Sequence, residues 1–233
     1  MKQTLKTIIR NVKSIKGNSL AEFATTTALM ATLAATAAPK LSEMSEGGKA
    51  EKSRNEIDKI IKQAGQFYQD KAETEGRGRF PGQPRHYDNV GFDAADYDNA
   101  TTNTVASLAT AHEKSDAHEA EVLKDLGLNG TDEGWKQYNQ THSATWVSVF
   151  GTSNADPRKV LPTGVSKVNN NTAAGIAEWK LLFGGETLGS TFQDGHYVYS
   201  VIGGGGTGSD VYPPIMYVGD IENMTHFNNL IEP

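Results

Sequence analysis

The sequence predicts an α+β chain in which a long N-terminal α-helix packs on an antiparallel β-sheet. Three observations predict it. Residues 18–39 form an apolar run whose only charged side chain is Glu22. Residues 57–68 place Ile57, Ile60, Ile61, Ala64, Phe67 and Tyr68 at i, i+3, i+4 spacing, one apolar stripe on a helix. Four later segments, "ATWVSVFG", "GIAEWKLLFGG", "HYVYSVIGGGG" and "YPPIMYVGDI", have the β-branched and aromatic content of strands.

The 18–39 run would extend roughly 33 Å as a helix, enough to cross a bilayer core. Its Leu20, Phe23, Leu29, Met30 and Leu33 are diluted by Ala and by Thr25, Thr26, Thr27, Thr32 and Thr36. Thr hydroxyls bond back to carbonyls of the preceding turn, and small residues let helices approach closely. Such a segment suits leaving lipid to pack among copies of itself better than permanent anchoring. Ahead of it stand Lys2, Lys6, Arg10, Lys13 and Lys16 with no acid before Glu22, the basic flank of an exported protein that stays on the cytoplasmic side.

Glu22 is the informative residue. A carboxylate within an apolar helix costs about 2.5 to 3.5 kcal/mol on insertion scales and is usually functional. The next cation downstream is Lys40, beyond Pro39. Cleavage after Gly17 would create a nearer one, the α-amino group of Asn18, whose ordinary pKa is near ~8. The Glu22 carboxylate could meet that amine within one chain or, better, the amine of a neighbouring chain, and the latter pair would fix an axial offset between subunits.

The pattern Lys16-Gly17 followed by Asn18-Ser19-Leu20-Ala21-Glu22-Phe23 resembles the class III signal of type IV pilins and type II secretion pseudopilins. The resemblance covers residues 1 to 81. It includes Pro39 at the position of the family's helix-kinking proline. It also includes the amphipathic stretch "AEKSRNEIDKIIKQAGQFYQDKAETEGRGRFPG", closed by Arg79-Phe80-Pro81 in the manner of major pseudopilins. It implies a leader peptide at 1–17, and an N-terminal helix at 18–81 with a hydrophobic assembly half (18–39) and an amphipathic half (40–81). A globular head with variable loops and sheet follows at 82–233. It also implies processing at Lys16, Gly17 and Asn18 by a prepilin peptidase, methylation of the new N-terminus, and assembly through Glu22, Phe23 and Pro39. The implied partners are further copies in a helical homopolymer, an inner-membrane assembly platform, and the membrane before assembly. The implied role is a structural subunit of an extracellular pilus-like filament, with no catalysis and no cofactor. Adhesion, motility, DNA uptake and secretion all fit, and a pseudopilin or minor pilin is the alternative within the family.

Three features depart from the family pattern. Asn18 stands where Phe or Met is commoner, the apolar run is poor in Leu, Ile and Val, and Gly47-Gly48 interrupts the helix pattern. Two glycines at about 1 kcal/mol each relative to Ala predict a melted section between two half-helices; a helix that tolerates both is the simpler alternative. A rival of another class is an ordinary secreted hydrolase or binding protein, its signal cut near Ala35-Thr36-Ala37.

Composition narrows the remainder. The 233 residues carry 22 Lys+Arg against 28 Asp+Glu, a net charge of −6, so no general nucleic-acid surface is implied. The absence of cysteine excludes disulfides and thiolate metal sites. In the head, "TVASLATAHEKSDAHEAEVLKDLGLNG" reads as a helix stopped by Gly127 or Gly130, and "GTDEGWKQYNQ" as a short helix or turn. His112, Asp116, His118 and Glu119 lie near one another but read as a solvated helix face, since zinc wants three or four convergent ligands. Asp93, Asp96 and Asp98, with Asn99 and Asn103, are weak calcium candidates, a polar surface loop being the simpler reading. Asp210 and Asp220 offer no convincing ligand set. Gly203 to Gly206, lacking a phosphate-loop lysine, reads as a mobile hairpin tip. Sequons stand at Asn99, Asn129, Asn139, Asn170 and Asn223. Trp135, Trp146 and Trp179 read as core or subunit interface.

Overall fold

A computed structural model describes residues 2–91, 118–130, 134, 145–150, 173–190, 197–206 and 211–233, with side chains from residue 19 onward. Its elements are a helix α1 (Lys2–Glu75), a helical segment α2 over residues 118–125, a helix α3 (Ala173–Leu182), and four strands. The strands are β1 (Val147–Ser148), β2 (Tyr197–Ile202), β3 (Ile215–Asp220) and β4 (Asn228–Ile231). Two compact units result, Met1–Gly48 and Lys49–Pro233.

In the first unit every described residue is α-helical and, from Ser19 to Gly48, exposed. Pro39 lies inside α1. The melted section expected at Gly47-Gly48 is not found, because both glycines are helical. Their flanks explain it. Glu43, Met44 and Glu46 precede them and Lys49, Ala50, Glu51 and Lys52 follow, all good helix formers that offset two unfavourable residues. The helix stops at Glu75, short of the expected residue 81, where Gly76 adopts a positive φ of 81°.

The second unit is built around an antiparallel sheet of order β1-β2-β3-β4. Tyr199 pairs with Val147 and Val218, and Tyr217 with Leu230. Val90 bridges Val201 through two backbone hydrogen bonds of 2.9 and 2.8 Å. All six residues of β2 are buried, so both faces of the sheet are covered. On one face Tyr197, Tyr199, Val201, Met216 and Val218 pack with Ile57, Ile60 and Ala64 of α1, with Phe80, and with Trp179 of α3. On the other face Val198, Ile202 and Tyr217 pack with Val122 and Leu126, and with Trp146, Ile221 and Met224. This two-sided burial is why "YVYSVI" is continuously apolar rather than alternating. Ile60 is 0% exposed, and full burial of such a side chain contributes about 1.5 to 3 kcal/mol.

One expected strand is a helix. "GIAEWKLLFGG" forms α3, since Ile176 is its lone β-branched residue and Ala, Glu, Lys and Leu favour helix. Gly175 and Trp179, one turn apart, are its buried residues. Gly184 at φ 67° ends it in a Schellman turn, with Gly185 N–H donating to Lys180 O (2.7 Å) and Gly184 N–H to Leu181 O (3.2 Å). The same motif stops α2 at Gly127 (φ 71°), through Leu128 N–H to Leu123 O (2.8 Å) and Gly127 N–H to Lys124 O (3.0 Å).

Candidate functional site: the exposed helix and the turn after α1

The first unit presents an uncovered apolar surface. Leu20, Phe23, Leu29, Met30 and Leu33 are 68 to 76% exposed, and Leu41 and Met44 extend the surface beyond Pro39. The Thr hydroxyls donate back into the helix as their spacing requires. Thr25 bonds Ala21 O and Glu22 O, Thr26 bonds Glu22 O and Phe23 O, Thr27 bonds Phe23 O, Thr32 bonds Leu29 O, and Thr36 bonds Thr32 O and Leu33 O. Each bond hides a hydroxyl that would otherwise resist an apolar environment. Among the described residues, one helix is long and apolar enough to cross a membrane, located near the N-terminus. Glu22 is exposed on this helix and makes no ion pair among the described residues. Lys16, Gly17 and Asn18 are helical in backbone, Asn18 lying one turn before Glu22.

In the second unit the segment after α1 is wired into three elements. Arg79, only 12% exposed at its side chain, donates from Nε to Glu75 Oε2 (2.9 Å), and from an η nitrogen to Glu178 Oε1 (2.9 Å) and Gln83 O (3.0 Å). Its guanidinium also lies 5.3 Å from the Phe67 ring centroid. Glu178 accepts a second bond from Gly82 N–H (2.8 Å), which holds α3 to this segment. Phe80 is fully buried with its ring 5.4 Å from that of Tyr68. Gly78 lies beneath the Tyr68 ring, in space that a side chain would have to share. The Tyr199 hydroxyl donates to Pro81 O (3.0 Å), tying the turn to β2. Hydrogen bonds from Arg79 and then Lys71 hold the Glu75 carboxyl down at about 2.

The opposite face of the sheet holds two buried polar pairs that sequence reading missed. His118, expected on a solvated helix face, is 0% exposed because α2 turns it toward β2. Its Nε2 is 2.7 Å from Ser200 Oγ, which also lies 3.0 Å from Thr145 O and 3.2 Å from Val90 O. Serine has one proton to donate and both carbonyls only accept. The network therefore assigns the proton to His118 Nε2, with Ser200 accepting it and donating to a carbonyl. That is the wrong arrangement for a histidine base and a serine nucleophile. The pair instead pins three chain segments to β2. Burial lowers the His118 pKa to about 4. Asp125, also 0% exposed, accepts from Trp146 Nε1 (2.8 Å), and burial raises its carboxyl to about 7. The Glu119 carboxylate accepts from the Tyr217 hydroxyl (3.2 Å), whose pKa burial pushes up to about 12.

The other candidates fall as follows. Asp220 is buried and accepts from Ser190 (2.6 Å), Ser53 (3.4 Å) and Glu222 N–H (3.1 Å), a structural role at the end of β3. Gly203 to Gly205 are not a mobile tip. Gly203 N–H donates to Asn89 Oδ1 (2.6 Å), Gly204 N–H to His86 O (2.8 Å) and Gly205 N–H to Tyr212 O (3.1 Å). A Cβ on Gly203 would strike the Tyr87 backbone, so close packing explains the glycine there. Trp146 and Trp179 are core residues. Asn129 is exposed, while Asn223 Oδ1 is engaged by Thr225 and His226. Asp93, Asp96, Asp98, Asn99, Asn103, His112, Asp116, Trp135, Asn139, Asn170 and Asp210 lie outside the described residues. Among the described residues no group of three or more His, Asp or Glu is placed to hold a metal ion. No family model, curated protein or solved structure matches the chain.

Proposed function

We propose that the chain is a type IV pilin-like filament subunit, inserted through its N-terminal helix, cut between Gly17 and Asn18, and polymerised by helix packing. The observation that carries this reading is Glu22, a carboxylate without an ion-pair partner among the described residues, on a helix whose large apolar side chains stand 68 to 76% exposed. Lipid satisfies the apolar side chains but not the acid. A bundle of copies satisfies both, provided each copy supplies a cation, and the freed Asn18 amine is that cation. Phe23, 73% exposed on the same helix, adds a large apolar side chain to the packing, and Pro39 lies further along that helix. The prepilin peptidase, the inner-membrane platform and an extracellular or cell-surface destination follow from this reading.

Arg79-Phe80-Pro81 favours the secretion pseudopilin within the same class. In that reading the buried Phe80 and the bridging Arg79 hold the helix exit rigid, as a short periplasmic filament under load would require. The test is electron microscopy of cells expressing the chain with its peptidase and platform, beside a Glu22→Ala variant. Filaments from the parent chain, lost in the variant while cleavage persists, are expected. Equal filament yield from both would remove the charge pair from the account, and separate particles from the parent chain would favour a conventional secreted protein cut near Ala37.

A further inference from the structure

We propose that Asn229 closes the outer edge of the sheet against strand addition by a second copy of the chain, with Asp58 of α1 holding it in place. Among the described residues β4 is the last strand of the sheet. Its register sets which groups face outward. Asp220 N–H donates to Phe227 O (2.9 Å), so hydrogen-bonded pairs recur every second residue, at Val218 with Asn229 and at Met216 with Ile231. Leu230, opposite Tyr217 between them, therefore turns its N–H and C=O away from β3. An outward donor and acceptor on an edge strand form a template for another strand. The Leu230 side chain is also 47% exposed.

That donor is occupied from within the chain. Leu230 N–H donates to Asn229 Oδ1 (2.9 Å), and Asn229 Nδ2 donates to Asp58 Oδ1 (2.9 Å). The two contacts fix the amide's orientation, since only its oxygen can accept from an N–H and only its nitrogen can donate to a carboxylate. Asn229 is exposed, and asparagine is a poor strand former. Neither core packing nor propensity accounts for its place in β4.

The excluded partner is a second β4. Laid antiparallel with Leu230 opposite Leu230, two copies would exchange N–H to C=O bonds between the leucines across a two-fold axis. The same register sets Asn228 opposite Glu232, an amide beside a carboxylate, and covers both exposed leucine side chains. The edge is thus self-complementary at the one residue whose donor Asn229 holds. Pairing has to break the Asn229 bond first, and Asp58 keeps the amide from rotating away. The inference stands on the sheet edge and is independent of filament assembly.

The experiment measures the sedimenting mass of the purified full chain in detergent, which keeps the N-terminal helix covered in every variant. Asn229→Val is expected to sediment at about twice the protein mass of the parent. Adding Leu230→Pro is expected to restore the parent mass, because proline has no N–H to offer and that N–H makes no bond to β3. Asp58→Ala, which keeps the amide but removes its anchor, gives a smaller rise. Amide exchange at Leu230 is the second readout, slower in the parent than in Asn229→Ala, and it carries the test if the valine variant changes the circular dichroism. A folded Asn229→Val with the parent's mass, a doubled mass that Leu230→Pro does not reverse, or equal Leu230 exchange in parent and Asn229→Ala would overturn the proposal.

Discussion

Arg79 and Glu178 meet at 2.9 Å across 99 positions of sequence, and Glu178 also accepts from the Gly82 backbone. The pair fastens the exit of α1 to α3. Both side chains are mostly shielded, 12% and 22% exposed, so removal of one leaves the other poorly solvated. Arg79→Leu is expected to lower the stability of the second unit by about 2 kcal/mol, and Glu178→Gln by less, since an amide oxygen still accepts. Denaturant unfolding of the two variants and their double mutant measures the coupling. Additive losses would mean that the two residues act independently.

His118 and Asp125 respond to pH in opposite directions. The folded pKa of His118, about 4, lies below its ordinary 6.5, so its contribution is complete above pH 6.5 and is lost as pH falls through 4. The folded pKa of Asp125, about 7, lies above its ordinary 3.8, so its contribution is complete below pH 3.8 and is lost as pH rises through 7. Linkage gives each an effect on the order of 3 to 4 kcal/mol, and the two slopes oppose one another over the shared window from about 4 to 6.5. The parent chain is therefore expected to be nearly flat there. Asp125→Asn should lose stability on acidification and gain it at alkaline pH, and His118→Gln should lose stability as pH rises. Thermal melts across this window check both, and parallel slopes in the two variants would contradict the assignment.

Cavity formation in the core has a defined cost. Ile60→Ala is expected to cost about 2 to 5 kcal/mol and Phe80→Ala about 3 to 5 kcal/mol, since both side chains are fully buried. Leu181→Ala, at 82% exposure, should change stability by less than about 0.5 kcal/mol. Guanidinium midpoints rank the three, and a costly Leu181→Ala would place an unrecognised contact on α3.

Gly47 and Gly48 have open space where a Cβ would project. Each change to alanine is therefore expected to stabilise the helix by up to about 1 kcal/mol. Helix content followed by circular dichroism on heating reports it. A loss of helicity would show that the glycines answer a packing need.

The stripe from Ile57 to Tyr68 was legible because six apolar side chains share one helical face, and the buried face supplies the sheet-covering contacts of α1. β2 and β3 were legible because two-sided burial selects β-branched and aromatic residues in sequence. α3 was misread because Trp179 and the apolar residues near it suit a buried strand as well as a buried helix; the deciding signal was Ala and Glu at its N-terminal side and the Gly184-Gly185 stop. β4, "NNLI", has no pattern of its own and exists by pairing with β3. The burial of His118 was hidden because its partner, Ser200, lies 82 positions away. Gly203 was misread as a tip because a glycine needed for close approach looks in sequence like one needed for freedom. The features of the exposed helix, by contrast, were legible from local spacing, since Thr back-bonding depends only on residues three or four positions apart.

The central claim is that an acid within the apolar helix awaits an amine released by cutting at Gly17. Mass determination of the N-terminal peptide, on protein recovered from cells containing the prepilin peptidase, tests it most directly. The account expects a chain beginning at Asn18, with or without N-methylation, and accumulation of the uncut form in a Gly17→Leu variant. A chain beginning near Ala38, or normal maturation of that variant, would contradict it.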